Sequence, residues 1–433
     1  MRIVKGLAVL VIMAFAATSA SAGGFRLPEA GAKAMGMGFA FTAQADDPSA
    51  IYFNPAGIVQ LEGQNVMVGA TYVKENGGEF TGSTPLTRPP FTATVERRSE
   101  TQKDLNFFIP NAYWTRKASP NLAYGVGIFV PFGLGQEYQD KNASIFRNQI
   151  TKINLMTFVV NPTVAWKVND VLSVGAGIDF MYGTATLEKT PVSPVAGNLY
   201  NSKLEADGTA WGYNFGVLLV PTKSLKIGLS HRSPFHMDFK DGDVEVRGIN
   251  PGIAPLFGGA RSFDTKGSTT LNMPATTTLG VACVLDRLTV ELDADWTWWH
   301  SYRSLDITLV NQVPPVVLST SSPKQWNDVV ALYLGGEYRV TDPLALRLGV
   351  RWDPTPVPTR TMGPELPDAD KFYYSAGVGY KFGSWTFDLA YMYVDKKDRD
   401  GNNLRVEGTN PVGFDGEWKG DAHLVAADVG YKF

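Results

Sequence analysis

The last nine residues restrict the fold of this chain more than any other part of it. Val425, Ala427, Val429, Tyr431 and Phe433 share one face of an extended strand, and Ala426, Asp428, Gly430 and Lys432 share the other. The same two-residue period recurs upstream. Trp385, Phe387, Leu389, Tyr391 and Tyr393 oppose Thr386, Asp388 and Ala390. Leu344, Leu346, Leu348 and Val350 alternate with Ala345, Arg347, Gly349 and Arg351. Leu288, Val290, Leu292 and Ala294 alternate with Thr289, Glu291, Asp293 and Asp295. In a soluble sandwich the charged face meets water outside. In a barrel set in lipid it lines the interior, and the apolar face meets acyl chains. The pattern predicts an all-β membrane protein.

Candidate strands run near 64–74, 103–117, 121–131, 152–168, 171–187, 209–220, 224–239, 266–285, 287–308, 326–340, 344–353, 370–382, 384–395 and 420–433. Fourteen is an even number, as single-chain bacterial barrels have. Short turns at Ala118-Ser119-Pro120, Asn169-Asp170, Pro221-Thr222-Lys223, Asp286, Thr341-Asp342-Pro343 and Gly383 alternate with long polar or Pro/Gly-rich loops. That asymmetry predicts periplasmic turns and outer loops. Trp296, Trp298, Trp299, Tyr302, Trp352 and Trp385 sit near strand ends and read as an interfacial girdle. The antiparallel barrel is assigned residues 63–433.

Residues 1–22 read as a cleaved signal peptide. Arg2 and Lys5 form the basic region, Gly6–Phe15 the apolar stretch, and Ala20-Ser21-Ala22 the cleavage site. The stretch is too short to span a bilayer as a helix. No Cys follows the cleavage site, which argues against a lipid anchor. Loss of Arg2 and Lys5 takes the net charge from -3 to -5, which gives no support for nucleic-acid binding, and none is expected. The lone Cys283 cannot form an internal disulfide. The expected location is the bacterial outer membrane, among its lipid and lipopolysaccharide. The terminal Phe433 resembles the signal read by the barrel assembly machinery, an expected partner.

Between signal and strands lies a stretch unlike either, Gly23 to Gln60, rich in Gly and Ala. Asp47-Pro48 and Asn54-Pro55 each place a capping side chain before a proline suited to the first helical position. A compact, partly helical piece ahead of a barrel belongs in the lumen. Residues 23–62 are read as a small hatch that plugs it.

From Gly24-Phe25 through Asn54-Pro55-Ala56 the chain resembles the FadL family of outer-membrane transporters, which take up long-chain fatty acids and other hydrophobic compounds. Further matches are Phe132-Gly133-Leu134, Ser230-His231-Arg232-Ser233, Met237-Asp238-Phe239, Met273-Pro274-Ala275 and Phe372-Tyr373 with Gly377 and Tyr380. The resemblance implies a monomeric fourteen-stranded barrel closed by its N-terminal hatch. It also implies a kink in the third strand through which cargo leaves sideways. Phe25 matches a position that reaches the ligand pocket, and Asn54, Pro55 and Ala56 match the hatch motif. Pro131, Phe132 and Gly133 fall where the kink belongs. Pro131 cannot donate to a ladder and Gly133 weakens a strand, although a proline that merely ends the strand reads the same way.

The resemblance further assigns the third and fourth outer loops to substrate capture. One carries Val192, Val195 and Leu199, the other Ile249, Ile253, Leu256 and Phe257. Packing of the loops on each other is the alternative reading. Long-chain fatty acid is the first expectation for cargo and aromatic hydrocarbon of the toluene type the second. Arg147, Arg232 or Lys203 could meet a carboxylate. No energy-coupling box stands near Gly23, so transport is expected to follow the gradient. A general porin is a further reading. So is a hydrolase, but His231, His236, His300 and His423 have no partner motif and no Gly-x-Ser-x-Gly element occurs. No enzyme activity, cofactor or metal is expected.

Overall fold

Each strand pairs antiparallel with its neighbours until the last meets the first. The computed structural model describes residues 23–85, 95–193, 197–309, 320–407 and 410–433. The signal peptide read at 1–22, and Val195, lie outside the described residues. The wall strands are β1 (Gln64–Glu75), β2 (Leu105–Ser119), β3 (Leu122–Phe129, resuming as Gly133–Glu137), β4 (Lys152–Lys167) and β5 (Leu172–Lys189). They continue as β6 (Asn201–Thr222), β7 (Leu225–Arg232 and Phe235–Arg247), β8 (Ser262–Met273 and Thr276–Leu285) and β9 (Leu288–Thr297 and Ser304–Leu309). The last five are β10 (Thr320–Pro323 and Val329–Arg339), β11 (Leu344–Asp353), β12 (Lys371–Phe382), β13 (Trp385–Asn402) and β14 (Asp415–Lys432). β14 closes on β1 in a register running from Asn65↔Lys432 to Glu75↔Ala422. The result is a closed fourteen-stranded antiparallel barrel, which leaves no open edge.

The burial pattern is inverted relative to a soluble protein. Leu292, Leu348 and Leu389 are 55%, 70% and 51% exposed, while Glu291, Asp293 and Arg351 are 0%, 0% and 3% exposed. Leucines outside and charges inside are what a lipid solvent selects. At two periplasmic turns the backbone demands positive φ: Asp286 (52°) before β9 and Gly383 (59°) before β13. Such values suit the tight turns whose twist matches that of the flanking strands.

The wall strands reach further outward than their apolar alternation. β6, β7, β13 and β14 include polar ends, and a further hairpin pairs Glu79–Pro85 with Val95–Thr101 and leans on β14. Above the membrane a ladder needs no apolar face, so periodicity cannot mark its end. Five strands are interrupted within the wall. Pro131 in β3, Pro234 in β7 and Pro274 in β8 fall in three of the breaks, and a short 3-10 turn, Trp299–Ser301, occupies a fourth, in β9.

Residues from Gly23 to Gln60 fill the lumen. They form a one-turn α-helix, Ala32–Gly36, a second, Ala50–Phe53, and a 3-10 helix, Pro55–Gln60. Asn54 caps the last through Oδ1, which accepts from Ala56 N at 3.1 Å. Asp47 stands two residues before Ser49, the residue at the cap position of the second helix. Its Oδ1 accepts from Ser49 N at 2.8 Å and Ser49 Oγ at 2.5 Å, which sets the turn that leads into Ala50.

Candidate functional site

The lumenal segment is held by its own main chain. Wall carboxylates accept from amides that its short helices and turns leave unpaired. Asp428 accepts from Ala32 N at 2.5 Å, and Asp293 from Phe41 N and Thr42 N at 3.1 and 3.0 Å. Glu291 accepts from Ala43 N and Gln44 N at 2.6 and 2.8 Å. The charged face read in β9 therefore serves as a set of anchors, which alternation alone does not reveal. The Asn54-Pro55-Ala56 turn seats against the wall as well. Asn54 Nδ2 donates to Thr42 O at 2.8 Å and Val217 O at 3.1 Å. A Cβ at Gly216 would lie 2.1 Å from Asn54 Oδ1, so only glycine lets the turn approach β6 so closely.

The tip of the segment enters an aromatic cage. The Phe25 ring lies 4.8 Å from Trp299, 5.5 Å from Tyr302, 5.6 Å from Trp326 and 6.1 Å from Phe132. Trp299 and Tyr302 thus leave the interfacial girdle expected of them. Trp299 continues the inward face of Glu291, Asp293, Asp295 and Thr297, and the 3-10 turn that interrupts β9 brings Tyr302 inward as well, while Trp298, Trp352 and Trp385 stay exposed. The adjacent pair Trp298-Trp299 carries a sequence signal for this, because neighbours on a strand cannot share one face. Trp326 gives no such signal.

β3 breaks at this cage. Its ladder with β2 runs outward only to Ala112↔Ile128, and the outer half, Gly133–Glu137, pairs with β4. Leu105–Asn111 of β2 thus has no ladder partner in β3 among the described residues. The break is bridged from inside. Leu27 N donates to Pro131 O at 2.8 Å and Gly133 N donates to Phe25 O at 2.9 Å. Arg26 pairs with Phe132 as an isolated bridge and sets its guanidinium on Asp295 at 2.6 Å. Phe129, Val130, Phe132 and Leu134 are all buried. Pro131, Phe132 and Gly133 thus sit beside Phe25.

Two cavities lie above Phe25. The inner one, about 50 Å³, is bounded by Phe25, Leu134, Leu155, Phe239, Leu271 and Trp326. The outer one, about 140 Å³, is bounded by Lys189, Tyr200, Leu204, Val244, Ile307 and Leu309. Leu187, Leu305 and the ion pair Lys324–Glu365 line both. Lys189 has no ion-pair or hydrogen-bond partner for its ammonium among the described residues. The cations expected for a carboxylate are placed elsewhere. Arg232 grips the buried Asp179 at 2.5 Å and Lys203 pairs with Glu205 at 2.7 Å. Arg147 donates to Asn198 Oδ1 at 3.0 Å and to Ser144 O at 2.7 Å.

Of the outer-loop residues, Ile249 and Phe257 are buried in a small apolar cluster with Leu204, Val244, Val246 and Leu309, and Ile253 packs against it. Leu256 is exposed. Val192 lies in a two-residue strand paired with Gly197–Asn198. Leu199 O accepts from Asn250 N at 2.8 Å, which ties the two loops together. Below the segment, on the periplasmic side, a cavity of about 560 Å³ is lined by Lys33, Asp46, Asp47, Lys226, Glu337, Arg347 and Asp388. Lys33 sits between Asp46 at 2.7 Å and Glu337 at 3.5 Å. Higher up, burial pushes the Glu29 carboxyl to about 7, Arg351 and Arg26 pull it down, and Asp353 adds to the rise.

The family model described as outer membrane protein transport protein (OMPP1/FadL/TodX) matches residues 13–433. A long-chain fatty acid transport protein of Salmonella typhi is 25% identical over 453 residues, spanning 98% of each chain. Outer membrane protein P1 of Haemophilus influenzae is 26% identical, over 89% of this chain and 88% of the other. Among solved structures, a Pseudomonas aeruginosa FadL homologue superimposes with a TM-score of 0.81 at 20% identity, over 95% of this chain and 100% of that one. The Pseudomonas putida toluene transporter TodX does so with a TM-score of 0.69 at 16% identity, over 94% and 99%.

Proposed function

Because the chain belongs to the OMPP1/FadL/TodX family of outer-membrane transport proteins, we propose that it takes up long-chain fatty acids and releases them sideways through its wall. This is an outer-membrane β-barrel that carries hydrophobic substrates, in a family of transporters and not of enzymes. The choice of a fatty acid rests on Lys189, an ammonium without an ion-pair partner among the described residues, in an outer cavity that Glu188 and the Lys324–Glu365 pair share with Leu187, Leu204, Val244 and Ile307. A hydrocarbon has no use for such a cation. A carboxylate does, and the next cation inward, Lys324, stands where the outer cavity meets the inner. A fatty acid thus meets one ammonium at the mouth and, before the apolar pocket, a second that Glu365 already pairs. Each methylene that follows gains roughly 0.8 kcal/mol on leaving water. The capture residues Val192, Leu199, Ile249, Ile253, Leu256 and Phe257 are read as the loop frame around this mouth.

The inner cavity, about 50 Å³, ends on the Phe25 ring. Cargo must therefore displace Phe25, which makes Phe25 and the Asn54-Pro55-Ala56 seat behind it the gate. Straight descent leads into the charged periplasmic cavity, a poor path for an acyl chain. The stretch of β2 that has no β3 partner, beside Pro131, Phe132 and Gly133, offers an apolar way out, and we read it as the lateral exit.

Uptake of labelled oleate and toluene by cells making the wild type or Lys189→Ala tests this reading. Oleate uptake falls about tenfold or more in the variant, as expected when one charged hydrogen bond is lost, and toluene uptake is unchanged. Equal loss of both, or of neither, sinks the carboxylate reading. The aromatic cage around Phe25 favours a second reading, uptake of aromatic hydrocarbons. It predicts toluene uptake that exceeds oleate uptake and does not respond to Lys189.

A further inference from the structure

One wall carboxylate and one from the loop between β11 and β12 converge on the first two nitrogens of the lumenal segment. Gly23 N donates to Asp353 Oδ2 at 2.9 Å, and Gly24 N to Asp368 Oδ2 at 3.2 Å. Asp353 also closes on Gly23 from the side, for a Cβ there would lie 2.7 and 2.8 Å from its two oxygens. The Asp353 side chain is buried, and its Oδ2 already takes Arg351 Nη2 at 2.5 Å. Arg351 faces the buried Glu29 carboxyl as well, so one guanidinium serves two carboxyl groups. Asp368, by contrast, has Lys371 as its own cation and Thr355 Oγ1 as a donor at 2.7 Å. The pocket at Gly23 holds Asp353 with Arg351 as its one ion-pair partner among the described residues. The nitrogen placed in it is the one that cleavage after Ala22 converts from an amide to an amine.

We propose that the pocket formed by Asp353 and Arg351 is a binding site for the α-ammonium of the mature chain, and that signal cleavage completes the seating of the hatch. A signal peptidase adds water across the Ala22–Gly23 bond. The C–N bond breaks, the Ala22 carbonyl carbon keeps the oxygen and leaves as a carboxylate, and the Gly23 nitrogen leaves with both protons of the water as an ammonium. Before cleavage that nitrogen has one N–H and no charge. After it, three N–H groups and a full charge face a buried carboxylate, and a charge-assisted bond replaces a neutral–anionic one. Opposite charge at this distance also keeps the amine protonated at neutral pH. Phe25 is only two residues away, so the pair fixes the tip of the gate. Glycine at 23 follows from the crowding by Asp353, and glycine at 24 from a φ of 69° with Trp299 and Trp326 2.6 Å from any Cβ.

The test uses the full mature chain. Its α-amine is acetylated in the unfolded state near neutral pH, where lysines remain protonated, and the chain is refolded into detergent. Mock-treated protein and Asp353→Asn are refolded beside it. Hydrogen exchange at Gly24–Leu27 rises by about tenfold or more on acetylation and likewise in Asp353→Asn, as the loss of a charged hydrogen bond predicts. Combining the two adds nothing, since they remove two halves of one pair. Equal exchange in acetylated and mock-treated chains overturns the proposal. If the acetylated chain does not refold, native protein supplies the second readout. Its Gly23 amine must react with an acetylating reagent at least about tenfold more slowly than in the unfolded chain, the signature of an opening step. Equal rates, or a first residue other than Gly23 on N-terminal sequencing, overturn it as well.

Discussion

Phe25 connects three features that lie far apart in the chain: the end of the lumenal segment, the break in β3 and the turn in β9. Truncating such a buried ring to alanine costs about 3–5 kcal/mol where the surroundings cannot collapse. Here that cost falls on the lumenal segment, not the barrel, because the wall ladder does not use the Phe25 ring. Phe25→Ala is expected to fold as the wild type does, show brief openings in planar-bilayer recordings and bind oleate less tightly. Unchanged conductance would show that the ring closes nothing. Glu291 is the corresponding residue at the other end. Glu291→Ala leaves the amides of Ala43 and Gln44 without acceptors in a buried place, at about 1–3 kcal/mol each. Hydrogen exchange at those two amides is expected to rise while the exchange of the β9 ladder stays unchanged.

At the level of elements, the β3 interruption depends on what replaces its lost pairs. Phe25 and Leu27 supply two main-chain bonds to it, and Arg26 faces Phe132 across the bridge. The flanking residues make the bonds, so Arg26 and Phe132 form the close, non-hydrogen-bonded type of pair, within reach of a disulfide. Arg26→Cys with Phe132→Cys, in a Cys283→Ser background, is expected to abolish uptake when oxidised and to recover it on reduction. Arg26→Cys alone controls for loss of the Asp295 ion pair. Retained uptake in the oxidised form would mean that the tip need not leave the break. Pro131 by itself does not distinguish an interruption from an end, since both need only a missing donor. The resumption of pairing at Gly133↔Met156 makes it an interruption.

On the scale of the whole molecule, closure and plugging are separable. The β14–β1 ladder starts beyond the lumenal segment, so deleting residues 24–60 leaves every wall pairing in place. The deletion is expected to give a stable barrel with large steady conductance, whereas the intact chain conducts little. A wild type that already conducts like a porin would contradict a closed lumen. Phe433 stands at the other end of the seam, exposed, with its amide bonded to Gln64 O. Removing it is expected to lower the yield of inserted barrel more than the stability of barrels already formed.

The amino-acid sequence by itself determined the barrel. A period of two is a local property, so the lipid faces of β9, β11, β13 and β14 can be read from Leu292, Leu348, Leu389 and Val429 without knowing any neighbour. The strand count and the short turns follow from the same local signal. Asn54-Pro55 showed its cap because capping spans only three residues. What remained for the tertiary structure were the relations between distant residues. Trp299, Tyr302 and Trp326 became a cage only because breaks in β9 and β10 face Phe25. Glu291 and Asp293 became anchors only because hatch amides arrive unpaired beside them. Lys189 and Asp353 differ from other charged residues in nothing the chain displays locally. Lys189 has no ion-pair partner among the described residues and Asp353 has Arg351 and the Gly23 nitrogen, and only the folded arrangement decides which charges meet.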